Sequence, residues 1–205
     1  MVFGQDHRSR TPPFVRDNAT MVRPRAERER IRRLLSGGDR RSIAGSGRVR
    51  AMVEHDPSLV GELVALTRES DWLVALRALD LLEKLAHDHT DWVAPYKGIF
   101  LGPLARSDKW EIRLQIVRAL PLFDWSPRQL ERVEQVLIEN VRFPQTFVRA
   151  WALDGLSTLL DVRPSLGTVV KRHLRAFERA ASKALRARAR HIRARVEARP
   201  RGSTS

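Results

Sequence analysis

The 205-residue chain contains no cysteine, and only 6% of its residues are aromatic. Without cysteine there are no disulfides, no thiol catalysis and no thiolate-bound zinc or iron–sulfur site. A reducing, cytoplasmic setting is the expectation. No uncharged apolar run approaches the roughly 18 residues of a membrane-spanning helix, so no membrane insertion is expected. The residues before Met21 are polar and basic and have no apolar stretch of the secretory kind, and Met21 is a candidate native start. Catalytic signatures are missing too. There is no Gly-x-Gly-x-x-Gly after a strand, no phosphate-binding Gly-Lys-Ser/Thr loop, no nucleophile elbow and no His-Glu-x-x-His. The expectation is a protein that is not an enzyme and needs no cofactor.

What is abundant is positive charge. Lys and Arg number 38 against 24 Asp and Glu, a net +14. Only Lys84, Lys97, Lys109, Lys171 and Lys183 are lysines; the rest are Arg, whose planar fork suits phosphate. The charge is uneven: about +8 over residues 1–50, about −4 over 51–170 and about +10 over 171–205. The basic ends either contact nucleic acid or another acidic surface, or reflect composition and solubility.

An internal repeat organises the middle of the chain. The segments Trp72–Leu82, Trp110–Leu120 and Thr146–Leu156 align without gaps at a period of about 36–38 residues. At about 100° per residue, their apolar positions fall in one broad arc. The columns are Val74/Ile112/Val148, Ala78/Ile116/Ala152, Leu79/Val117/Leu153, Leu82/Leu120/Leu156 and Leu85/Phe123/Leu159. Ala119 and Gly155 add small residues where helices approach closely.

Shorter amphipathic helices are predicted before each of these, over about 57–68, 91–104 and 127–141, with 166–181 opening a further unit. Asp56 and Ser126 are expected N-caps ahead of Pro57 and Pro127. Two antiparallel helices cannot bury both faces alone, so units of this kind must stack.

The run Val148-Arg149-Ala150-Trp151-Ala152-Leu153-Asp154-Gly155-Leu156 resembles the second helix of a HEAT repeat, and Ile112-Arg113 matches the same Val-Arg start. The resemblance covers about residues 57–161 well and the flanks loosely. It implies an all-α fold: a short right-handed α-solenoid of about four to five helical hairpins, here over 26–199. Residues 1–25 and 200–205 are expected to be disordered tails. It also implies an inter-repeat ladder in which Asp108 pairs with Arg113, with Arg149 in the matching place. Val74-Ala75 lacks that Arg.

A weak first unit is expected over 38–54, punctuated by Gly37, Gly38, Gly45 and Gly47, with Val49, Ala51 and Met52 on the apolar side. A terminal helix is expected with a thin dry seam of Leu185, Ala189, Ile192 and Val196 and an Arg-rich outer surface.

Opposite the apolar arc lie Arg77/Gln115/Trp151, Asp80/Arg118/Asp154 and Lys84/Leu122/Thr158. The resemblance puts these second helices on the concave wall. Arg77, Asp80, Lys84, Gln115, Arg118, Trp151 and Asp154 are therefore the candidate partner-binding residues. Trp151 is either an exposed anchor, since its equivalents are polar, or a core ring tucked under the last repeat.

Trp72, Trp110, Trp92 and Trp125 read as packing between helices, and Phe100, Phe123, Phe143, Phe147 and Phe177 as core. His87-Asp88-His89 with Asp91 reads as a loop or cap, because two His at i and i+2 diverge on a helix and no third ligand is near; no metal is expected.

The leading expectation is a non-enzymatic scaffold holding a protein partner in the groove. The alternative is nucleic-acid binding by the basic C-terminal helix through Arg186, Arg188, Arg190, Arg193 and Arg195. DNA alkylation-repair glycosylases of HEAT type join aromatics, an Asp and basic residues on their concave wall, a set that Trp151 and Asp154 distantly resemble. Some HEAT-like proteins are chromophore lyases, a class no residue here specifically supports.

Overall fold

The computed structural model describes residues 18–198, with side chains placed from Arg25 onward. Among them the chain is all-helical and has no strand. Ten α-helices follow in order: α1 (Asn18–Leu35), α2 (Ser46–His55), α3 (Val60–Leu66), α4 (Trp72–Asp88), α5 (Thr90–Val93), α6 (Trp110–Ala119), α7 (Pro127–Val141), α8 (Thr146–Thr158), α9 (Gly167–Glu178) and α10 (Lys183–Glu197). No helix among the described residues is long and apolar enough to cross a membrane.

Local chemistry accounts for the boundaries. Asp56 accepts from the Ser58 amide ahead of a 3₁₀ turn at Pro57–Leu59 that leads into α3. Ser126 and Gln129 form a reciprocal capping box at the start of α7, with Pro127 in the first turn. Asp71 and Ser182 are simple N-caps of α4 and α10, accepting from the Leu73 and Leu185 amides. These side chains satisfy amide groups that the first helical turn leaves without partners.

The helix expected over 91–104 forms differently. It is a single α-turn, α5, continued by 3₁₀ stretches at Ala94–Leu101 and Pro103–Arg106. Pro95 and Pro103 remove amide donors, while Gly98 and Gly102 weaken the helix, so the tighter i+3 pattern takes over.

All fifteen residues of the five apolar columns are buried. Leu79, Leu82, Leu120, Leu153 and Leu156 are fully excluded from solvent, each such side chain being worth roughly 2 kcal/mol. They lie at the meeting of two sets of contacts. One pairs neighbours in sequence: α1 with α2, α3 with α4, the 3₁₀ segment at 103–106 with α6, α7 with α8, and α9 with α10. The other links alternate elements, α2 to α4, α4 to α6, α6 to α8 and α8 to α10.

Gly155 makes one of the close approaches. A Cβ there would sit 3.2 Å from Leu137 Cδ2 and 3.5 Å from the Val117 carbonyl, so α8 takes the Leu137 side chain of α7 and the backbone of α6 against its own bare backbone.

Four expectations need correcting. α1 begins at Asn18, inside the segment 1–25 expected to be disordered; the rest of that tail and residues 199–205 lie outside the described residues. In α2 the dry face is Val49 and Val53, whereas Ala51 is exposed. His87 and Asp88 form the last turn of α4 rather than a loop, with His89 stacked on Trp92 at 3.8 Å between centroids. Phe147 is not core. It is 53% exposed and lies against Trp110, ring centroids 6.5 Å apart. Its place in the aligned repeat is held elsewhere by Leu73 and Glu111, and the acid marks a position that water reaches.

Candidate binding surface

The polar columns opposite the core do meet across helices. On α4, Lys84 lies 2.6 Å from Asp80, one turn away. On α6, Arg118 extends a guanidinium nitrogen to 3.0 Å from Glu83 of α4. The same guanidinium lies over the Trp151 ring of α8, 5.2 Å from its centroid. From the other neighbour, Arg188 of α10 sits 4.0 Å from that centroid. Trp151 is thus a half-buried ring flanked by two cations, an arrangement worth about 1 kcal/mol per pair when partly desolvated.

Asp154 closes the chain of contacts. Its carboxylate accepts from Arg195 at 2.7 Å and from Arg188 at 3.4 Å. Arg195 also donates to the Asp154 carbonyl at 3.1 Å and to the Ser157 hydroxyl. Residues 188 and 195 are two helical turns apart, so both point the same way and clamp α10 onto α8.

The structure divides the candidates drawn from the sequence. Asp80, Lys84, Arg118 and Trp151 keep part of their surface open. Arg77, Gln115 and Asp154 are buried. Arg77 donates to the carbonyls of Leu35, Asp39 and Ser42, which fastens the 36–45 loop across α4. Two consecutive left-handed glycines, Gly37 and Gly38 (φ 81° and 69°), let the chain turn back toward it. Arg40 from this loop reaches Glu111 at the start of α6, 3.5 Å away. Arg77 therefore supports the surface from below.

Glu83 is a buried acid beneath this surface that sequence reasoning missed. It is fully buried, and its nearest polar neighbours are Arg118 at 3.0 Å and His87 at 3.2 Å. Burial pushes its carboxyl up from the ordinary range, while Arg118 and then His87 pull it back. A signal was present: Glu83 is an acid set between Leu82 and Leu85 on an otherwise dry arc.

The expected Asp–Arg ladder takes another form. Arg113 donates to the Ser107 carbonyl and, at 3.2 Å, to Asn140, and covers Phe143 at 4.5 Å. Arg149 repeats the pattern one unit on, bonding the Val141 carbonyl and covering Phe177 at 5.3 Å. Asp108 is exposed and takes no part. Burial lowers the Arg113 pKa.

Of the five C-terminal arginines proposed for nucleic acid, four are held within the protein. Arg188 and Arg195 hold α8. Arg186 donates to the Ala180 and Ala181 carbonyls at 2.6 and 2.9 Å. Arg193 pairs with Glu178 at 2.6 Å. Arg190 is exposed. No group of three or more His, Asp or Glu side chains among the described residues is placed to hold a metal ion.

No protein-family model matches this chain. No curated protein matches it either. Among solved structures, the chain is similar to the crystal structure of an engineered protein, with a TM-score of 0.60 and 14% sequence identity. The match spans 87% of this chain and 84% of that one, and at such low identity it is a likeness of fold alone.

Proposed function

We propose that the chain is a short right-handed α-solenoid of five HEAT-like hairpins, acting as a non-enzymatic scaffold for a protein partner. The hairpins are α1/α2, α3/α4, the 94–106 segment with α6, α7/α8 and α9/α10. The partner lies along the strip formed by α4, α6 and α8. The observation that supports this is the continuity of that strip: Glu83 meets Arg118, Arg118 meets Trp151, and Trp151 and Asp154 meet Arg188 and Arg195, so contacts join the alternate helices α4, α6, α8 and α10. A half-buried Trp ringed by Arg, with opposite charges alternating beside it, is the composition that interface anchors favour. Lys84, Asp80, Arg118 and Trp151 make the contact. Arg77, Gln115 and Asp154 hold the surface in shape. The absence of cysteine suits a cytoplasmic setting.

Affinity capture with the full chain, on nuclease-treated extract at moderate salt, tests the reading. Trp151→Ala and Lys84→Glu are the informative variants, because Arg118→Ala would also strand Glu83. A captured protein partner should bind each at least about tenfold more weakly, the usual loss when an interface anchor is removed. Retention of every captured protein by both variants would remove the strip from consideration.

A further inference from the structure

A row of cations that remains free for a ligand lies on α9. Lys171, Arg172, Arg175 and Arg179 are exposed, and among the described residues none of their side chains makes a hydrogen bond or ion pair. The acid nearest to them in sequence, Glu178, is taken by Arg193 at 2.6 Å. The opposite side of the helix, with Val170, Leu174 and Phe177, is buried in the core, which fixes the direction in which the cations point. With Thr168 and Ala176 they line a shallow groove of about 580 Å³.

We propose that this face of α9 is a docking surface for the phosphate backbone of duplex DNA, separate from the protein-binding strip on α4, α6 and α8. Lys171, Arg175 and Arg179, the last at the C-cap, follow one another at i, i+4 and i+8, so one cation recurs about every 6 Å along the helix. A row of evenly spaced positive charges complements a polymer of evenly spaced phosphates and calls for no base contact. Arg172 widens the row on one side.

Other polyanions fit less well. Single strands are gripped by aromatic platforms, and the exposed large apolar residues, Ile43, Tyr96, Phe147 and Val162, all lie off α9. A helix lying in a membrane surface presents its apolar side to the lipid, whereas that side of α9 is already buried against the protein. The bland account of these residues is that Arg175 and Arg179 complement the C-terminal end of the helix dipole. It leaves Lys171 and Arg172, a turn or more further back, without a role.

Fluorescence anisotropy with a labelled duplex of about two dozen base pairs tests the proposal over a series of salt concentrations. Three phosphate contacts correspond to a slope of about −2.7 in log K against log salt, or about 40-fold weaker binding between 50 and 200 mM. The triple variant Lys171→Gln, Arg175→Gln, Arg179→Gln should bind at least about tenfold more weakly and make the slope shallower by nearly three. The control Arg48→Gln, Arg68→Gln, Arg128→Gln removes equal charge from exposed positions elsewhere and should change the slope little. Circular dichroism shows whether each variant is folded, and the α9 substitutions leave its buried side intact. The proposal is overturned if the control weakens binding as much as the α9 triple. It is also overturned if the full chain does not bind the duplex, or if it binds duplex RNA or phosphatidylserine vesicles more tightly. None of these outcomes touches the protein-partner reading, whose capture experiment is done after nuclease treatment.

Discussion

Arg188 covers the Trp151 ring, its guanidinium carbon 4.0 Å from the ring centroid, and the same guanidinium reaches Asp154 at 3.4 Å. The last helix is therefore fixed to its neighbour by charge and ring contacts as well as by the seam of Leu185, Ala189 and Ile192. A terminal element has one neighbour fewer than an internal one, so its docking depends more on such side contacts.

Asp154→Ala should loosen α10 selectively. The carboxylate is nearly buried and serves two arginines, while those arginines regain some solvation when it is lost. The expected destabilisation is about 2 kcal/mol, allowing for screening of the partly exposed arginines. Amide hydrogen exchange should accelerate in α10 and stay unchanged in α7. Uniform acceleration along the chain would show that Asp154 has no special part in docking α10.

Glu83 and Arg118 should respond asymmetrically. Arg118→Ala leaves a buried carboxylate without its strongest counter-charge and should cost about 3 kcal/mol at neutral pH. Glu83→Gln removes the charge instead. Because burial raises the Glu83 pKa, the folded state holds its proton more tightly than the unfolded chain. That contribution to stability is complete below the ordinary value of 4.5 and is lost as pH rises through the folded value. Urea unfolding across pH should therefore show Glu83→Gln gaining on the parent as pH increases. Parallel curves would contradict the burial argument.

His173 on α9 runs the other way. Burial, followed by Arg172, Arg142 and Arg149, lowers its pKa below 6.5. The unfolded chain then binds the proton more readily, so stability present above pH 6.5 declines as pH falls through the folded value. His173→Phe should flatten this acid limb in denaturant titrations. If the parent shows no decline attributable to His173, the cationic surroundings are better screened than the geometry indicates.

Gly155→Val should be the most damaging conservative change in α8. A branched side chain there must displace Leu137 and approach the Val117 carbonyl, both part of the packed interior. Overpacking of this kind costs about 2–3 kcal/mol, more than any gain in helix propensity over glycine. Thermal unfolding measures it. Stability equal to the parent would mean that α7 and α8 can part freely.

Much of the fold was legible because its causes are local. The period that puts Val74, Ala78, Leu79 and Leu82 on one arc is a property of about three helical turns. Its recurrence at Ile112 and Val148 was visible without coordinates. The caps Asp56 and Ser126 act within three residues of themselves. Where the local signals conflicted, as among Pro95, Gly98 and Gly102, the segment became 3₁₀, and an apolar count alone read it as an α-helix.

The polar face was legible only in part. Column alignment gathered Arg118, Trp151 and Asp154, but it could not say that Arg195 closes on Asp154 from 41 residues away. Nor could it say that Arg77 turns inward to three loop carbonyls while Lys171 stays free. Periodicity sorts residues into dry and wet sides, because burial of apolar area scales with the side a residue occupies. Which cation meets which acid, ring or carbonyl depends on distances of a few ångströms set by how successive helices cross, and those distances exist only once the helices have packed.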